Sequence, residues 1–206
     1  KDKKYNKLRK ESSIKKEILY VTAQEHAVPS SMLAMIKYIK AEKNDYEQLI
    51  AVNSGNIKES EERLKRYNLG DIQIITRDDE KYLKSLSEAE YIFSDCGLEY
   101  YFAAKNNQKY FNLQTDNISA KMTRKKEREC FEFAAVQKSI ITPKASIYLT
   151  NESRLSFEKA YRCEMLPTSA IISDCPAFDM AGATNFASST DKIKILFTPQ
   201  FKATSG

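Results

Sequence analysis

Glycine is scarce, with five residues in 206, and neither a GxGxxG nor a Walker A run occurs. A phosphate-cradling loop built from glycines is therefore not expected. Histidine occurs once, at His26, and the four cysteines (Cys96, Cys130, Cys163, Cys175) form no CxxC pair. That argues against zinc and against a disulfide framework, and it reads as free thiols in a reducing compartment. No metal and no cofactor are expected. No stretch approaches the ~20 apolar residues that cross a bilayer, and no signal-peptide core is present. Charge of one sign is modest too. The formal net charge of +5 falls short of a nucleic-acid binder's dense basic stripe, so no nucleic-acid partner is expected. It is compatible with an anionic ligand or an anionic membrane surface. The chain starts at Lys1 rather than methionine and ends in KATSG. Both ends look like cuts in a longer protein.

What is present is an ordinary globular balance, 42% hydrophobic and 30% charged, enough at this length for a sizeable core. Residues 1–17 are dominated by lysine and arginine, with only Leu8 and Ile14 aliphatic. They read as a solvated linker or fraying helix, or as a basic lead-in to anionic lipid, where each basic residue contributes about 1 kcal/mol. Ile18–Thr22 (ILYVT) is a continuous apolar run, the mark of a strand buried on both faces. Ser30 or Ser31 then caps a helix over Met32–Lys43, with apolar residues at spacings of three and four. A strand at Gln48–Val52, a helix at Ile57–Tyr67 closed by Gly70 as a left-handed cap, and a strand at Asp71–Thr76 come next. A short helix runs to Ser87.

The stretch from Tyr91 to Lys121 organises the rest. It reads as a strand (Tyr91–Phe93), a polar turn, an aromatic-rich helix (Leu98–Ala104), a strand (Lys109–Leu113) and a polar loop. Ser119–Lys138 has helical propensity. Strand Ser146–Thr150, cap Asn151, helix Glu152–Arg162, strand Ala170–Ser173, and a last strand Lys192–Thr198 complete the pattern. Alternating strands and helices predict an α/β fold: a Rossmann-like, mostly parallel sheet with helices on both faces and right-handed crossovers. The expected division is a basic lead-in or linker (1–17), one domain (18–182), and a linker with a final strand (183–206).

Three runs resemble the CDP-glycerol glycerophosphotransferases, the teichoic-acid polymerase family. NQKYFN (Asn107–Asn112) is similar to the start of the family's GQKYLNTWHGTPLK. In the segment after Lys144, Pro176 and Asp179 match the family's GYPRND, with Ala177 in place of its arginine. KIKILFTPQF (Lys192–Phe201) is similar to the KKVILYAPTWR strand that opens the family's nucleotide-binding domain. The resemblance implies the acceptor-side half of a glycosyltransferase-B fold, cytoplasmic and peripheral at the membrane. The implied reaction moves a polyol phosphate from a CDP-polyol to a phosphate-containing polymer or lipid-linked acceptor. The nucleotide would sit mainly on a second domain. Here Gln114–Ser119 stand where the family has Trp-His-Gly-Thr-Pro, so the family's base histidine is absent. Two alternatives stay open: a sugar transferase using a nucleotide sugar, and a non-catalytic module binding a glycan or protein.

The candidate site residues lie where open α/β sheets bind ligands, beyond the carboxyl ends of strands. His26 follows the first strand, and an imidazole with a pKa near 6.5 suits a general base. Asp95 follows the strand Tyr91–Phe93, where it can orient or deprotonate a hydroxyl, although it would serve equally as a helix N-cap. Asp116 is the carboxylate in the loop that replaces the family's catalytic run. Gln114, Thr115 and Asn117 can hydrogen-bond polyol or phosphate oxygens. Lys121, Arg124, Lys125 and Arg128 cluster at one helix start and suit phosphate oxygens. A solvated charged face would look the same.

Overall fold

The central apolar run becomes β1 (Lys15–Val21), buried from Glu17 onward. The structure is a computed structural model that describes residues 1–22, 27–42, 45–113, 130–165, 169–174 and 176–177. After β1 come α2 (Ser30–Glu42), β2 (Glu47–Val52), α3 (Ile57–Arg66), β3 (Gln73–Thr76), α4 (Glu80–Glu88) and β4 (Ala89–Ser94). Then come β5 (Lys109–Leu113), α5 (Cys130–Ile141), β6 (Ala145–Tyr148), α6 (Asn151–Ala160) and β7 (Ala170–Ile172). A further helix, α1 (Asp2–Glu11), precedes them all. The expected strand at Lys192–Thr198 lies outside the described residues.

The strands form one sheet in the order β3-β2-β1-β4-β5-β6-β7, and every pair is parallel. A parallel sheet of this kind must be covered on both sides, because its strands are apolar on both faces. One face buries Leu19, Val21, Leu49, Ala51 and Ile92 against Tyr5 of α1 and Tyr82, Leu83 and Leu86 of α4. The other buries Ile18, Tyr20, Ile50 and Val52 against Met32, Leu33 and Ile36 of α2 and Leu64 of α3. In register on that face, Tyr20, Phe93 and Phe111 stack across β1, β4 and β5, with centroids 5.7 and 5.3 Å apart.

Four expectations are corrected. Residues 1–17 do not form a solvated linker: α1 docks on the domain through Tyr5, which is 0% exposed. The helix expected at Leu98–Ala104 does not form, and β4 passes to β5 through an irregular segment instead. A parallel crossover usually carries a helix to satisfy its backbone. Here side chains do that work. Arg9 donates to the carbonyls of Ala103 (2.8 Å) and Ala104 (3.1 Å), Tyr5 Oη donates to Ala103 O (3.1 Å), and Lys138 donates to Tyr100 O and, at 3.1 Å, Phe102 O. Third, Asn68 rather than Gly70 takes the left-handed conformation after α3, with φ of 58°. Leu69 N then donates to Leu64 O and Asn68 N to Lys65 O, which closes the helix end. The cap of α6 is likewise Thr150 rather than Asn151, in a reciprocal capping box with Ser153.

One buried carboxylate works against the fold. Glu17 is 6% exposed, and its Oε1 has no hydrogen-bond partner. Burial pushes its pKa up, against the opposing pull of the Ser85 hydroxyl. The folded state therefore binds this proton more tightly than the unfolded chain, and stability falls as the pH rises past the ordinary carboxylate range. Glu17→Gln is expected to add about 1 kcal/mol to the unfolding free energy at neutral pH. The gain should shrink to nothing as the pH is lowered. Urea unfolding across that range checks it, and an equal gain at every pH would contradict this reading.

Candidate functional site

β1 and β4 are neighbours in the sheet, but the chain winds away from them in opposite directions along it: β1 leads to β2 and β3, β4 to β5, β6 and β7. The carboxyl ends of such a pair leave a crevice, the usual ligand position of an open parallel sheet. Thr22 extends β1, its backbone N–H donating to Ala51 O at 3.1 Å. Across from it, Asp95 extends β4, with its N–H 3.4 Å from Val21 O. Asp95 is half-buried. Because no helix comes after it, it is not a helix N-cap. By the register of the two strands, Asp95 comes directly after Ser94, the partner of Val21, at the carboxyl end of β4.

Asp95 is the one sequence-predicted site residue among the described residues. His26, Asp116, Gln114, Thr115, Asn117, Lys121, Arg124, Lys125 and Arg128 lie outside them. The chain order still bears on two groups. His26 follows Thr22 by a few residues, and Gln114 is the first residue after β5, which pairs with β4 with Ser94 opposite Asn112.

Sequence reasoning missed a charged network beside Asp95. Arg77, the first residue after β3, donates from Nε (3.2 Å) and Nη2 (2.8 Å) to Glu99 Oε1. Its Nη1 donates to Thr22 O at 3.2 Å and lies 3.7 Å from Cys96 Sγ. Tyr82 Oη donates to the other Glu99 oxygen at 2.5 Å. The Arg77 and Glu99 side chains are only 14% and 17% exposed. Burial works against the Arg77 charge, but the surrounding Tyr82, Glu99 and Cys96 outweigh it, so this guanidinium is a fixed cation. The available signal was position: Arg77 follows a strand at the same sheet edge as Asp95.

Cys96 is not a nucleophile in this setting. Burial, with the Asp95 charge beside it, pushes its thiol up to about 11, and the thiolate is the reactive form. Ser94 Oγ donates to Cys96 O at 2.5 Å and accepts from Cys96 N at 3.1 Å, which fixes the turn. Under the segment beyond it, Leu98, Phe102, Tyr110, Lys138 and Ser139 help enclose a cavity of about 10 Å³, room for a water molecule at most. Among the described residues, no cluster of three His, Cys, Asp or Glu side chains is placed to hold a metal ion. Among them, too, no helix is long and apolar enough to cross a membrane.

A parallel sheet in this order, with its charged groups gathered at the carboxyl ends of β1 and β4, defines a Rossmann-like domain of the kind that makes one half of a glycosyltransferase-B fold. The chain belongs to the CDP-glycerol:poly(glycerophosphate) glycerophosphotransferase family, whose sequence model matches residues 5–199. A sequence search of curated proteins found no significant match. Among solved structures, the wall teichoic acid polymerase TagF is similar at 15% identity and TM-score 0.59, over 88% of this chain and 45% of that one. A histidine variant of TagF gives 14% identity and TM-score 0.62, over 91% and 46%. The variant soaked with CDPG gives 14% and 0.60, over 89% and 48%. The chain thus spans about half the length of the structures it matches.

Proposed function

We propose that this domain is the acceptor-binding half of a transferase that adds polyol phosphate from a CDP-polyol to a phosphate-containing polymer. The observation that carries the reading is the family match over residues 5–199 on a Rossmann-like half-domain. Asp95 at its switch point supplies a carboxylate where an acceptor hydroxyl would lie. In this scheme the hydroxyl loses its proton to a base of this half, drawn from Asp95, His26 and Asp116. The oxygen attacks the β-phosphorus of the donor in line, and the phosphoanhydride bond breaks to release the nucleoside monophosphate. Basic groups steady the developing charge, and Lys121, Arg124, Lys125 and Arg128 are proposed for that role and for gripping the acceptor's phosphates, with Gln114, Thr115 and Asn117 on its hydroxyls. That this domain, with α1 docked on it, is followed by a second domain opening in 183–206 belongs to the same proposal.

The membrane part of the proposal rests on α1. Lys3, Lys7 and Lys10 are exposed, and their spacing puts them on one helix face, opposite the buried Tyr5. Such a face suits an anionic lipid surface.

Titration of the chain with a short glycerol-phosphate oligomer, beside CDP-glycerol, a nucleotide sugar and single-stranded RNA, tests the reading. The oligomer should bind without donor, and more weakly at higher salt, because phosphate contacts are screened. Silence toward the oligomer, with a nucleotide sugar or RNA bound instead, would overturn it.

A further inference from the structure

The segment that joins β4 to β5 carries Asp95 at one end and Glu99 four residues on. Without a helix it has no internal ladder to hold its shape. At its far end it is tied to α1 and α5 through Arg9, Tyr5 and Lys138. At its near end, beside the crevice, the tie is the Arg77–Glu99–Tyr82 network. Arg77 is not bound to Glu99 alone. Its Nη1 also holds Thr22 O, on the strand that faces Asp95 across the crevice. One guanidinium therefore joins the ends of β1 and β3 to the segment after β4. On the same side, Asp95 N donates to Val21 O at 3.4 Å, so the start of the segment also meets the end of β1.

We propose that Arg77, with Glu99 and Tyr82, is a positioning device that fixes the segment after β4 and thereby sets where the Asp95 carboxylate stands at the crevice. The device does not touch substrate. Arginine suits the role because its planar fork serves Glu99 with two donors and still has a third nitrogen for Thr22 O; lysine offers a point charge and no fork. The inference rests on the proposed transferase function for its catalytic consequence, but not for its mechanical one.

Two readouts separate these. The first is alkylation of Cys96 by iodoacetamide, read by peptide mass, with Cys163 as internal control. Cys163 is 0% exposed and packs with Ile140, Tyr148 and Phe157, in a separate cluster. The second is kcat and KM for transfer from CDP-glycerol by the full-length protein. Arg77→Ala and Glu99→Gln are expected to speed Cys96 alkylation at least tenfold with Cys163 unchanged. Losing the Arg77 cation alone would slow alkylation, since that charge favours the thiolate, so acceleration reports opening of the segment. Both variants should lower kcat at least tenfold with the donor KM within twofold, and Arg77→Lys should restore little of it. Tyr82→Phe keeps the buried ring, so it remains folded if the other variants do not, and it should move both readouts the same way by a smaller factor. Cys96 alkylation at the wild-type rate in all variants overturns the proposal. So does faster alkylation with unchanged kcat. If the wild-type protein transfers nothing from CDP-glycerol, the proposed function fails, and the alkylation rates alone decide whether the device holds the segment.

Discussion

Replacing Tyr5 with alanine will lower the unfolding free energy by about 3–5 kcal/mol, the range for removing a fully buried aromatic ring. For a chain of this length that corresponds to a fall in Tm of roughly 10 °C. The ring is 0% exposed. It lies 5.4 Å from Tyr101 and 6.3 Å from Phe102, centroid to centroid, in the cluster that also holds Leu19, Leu86 and Ile92. Its hydroxyl donates to Ala103 O, and burial pushes its pKa up against the pull of the Ala103 N–H, which donates to the same oxygen. Tyr5→Phe removes only the hydrogen bond and should cost about 1 kcal/mol. Lys3→Ala, on the exposed side of the same helix, should stay within about 0.5 kcal/mol of wild type. Urea unfolding of the three variants gives the answer. A Tyr5→Ala loss under about 1 kcal/mol would mean that α1 is not part of the folded unit.

The same residue shows where the sequence stopped being readable. The sheet was legible because its central strands β1 and β2 are runs of adjacent apolar residues, and ILYVT and LIAV announce themselves locally. Helix α2 was legible from the spacing of its apolar residues, and α6 from the polar residues at its start, although both begin earlier than expected: α2 at Ser30, and α6 at Asn151 behind the cap Thr150. α1 was not, because a helix with one buried tyrosine among lysines has the composition of a linker, and the docking partners of Tyr5 lie nearly a hundred positions away. The missing helix after β4 has the same cause. LEYYFAA has no breaker and good helical propensity, so local rules favour a helix. The donors that satisfy its open backbone are Arg9 and Lys138, which no local window contains. The position of Asp95 directly after a strand was legible, and that position is what makes it a candidate. Arg77 follows a strand equally directly, but its meaning comes from Glu99, 22 positions on. A buried ion pair is a property of the fold, and the charges that form it look like solvated ones until the strands are put in order.

Changing Asp95 to alanine in the full-length protein will lower kcat by about 10²–10⁴-fold, the usual worth of a general base, or roughly 2.7–5.5 kcal/mol of barrier. Asp95 is the candidate among the described residues, and it comes one position after Ser94, the partner of Val21. Asp95→Asn keeps the shape and the hydrogen bonding but cannot take a proton, so it should fall as far as alanine does. His26→Ala and Asp116→Ala belong beside it, since both follow strands at the same sheet edge in chain order. The pH profile of kcat/KM distinguishes a carboxylate base from an imidazole. A carboxylate puts the acid limb near pH 4, whereas a histidine puts it near 6.5. With Asp95 as the base, His26→Ala leaves that limb where it is. If the limb stands near 6.5 and vanishes in His26→Ala, the base is His26, and Asp95 only orients the hydroxyl. If all three alanine variants keep turnover within about twofold, under ~0.5 kcal/mol of barrier, the deprotonating group lies outside this half-domain. An intact Arg77 network and an idle Asp95 would then point to a domain that holds the acceptor while the chemistry is done from the other side of the cleft.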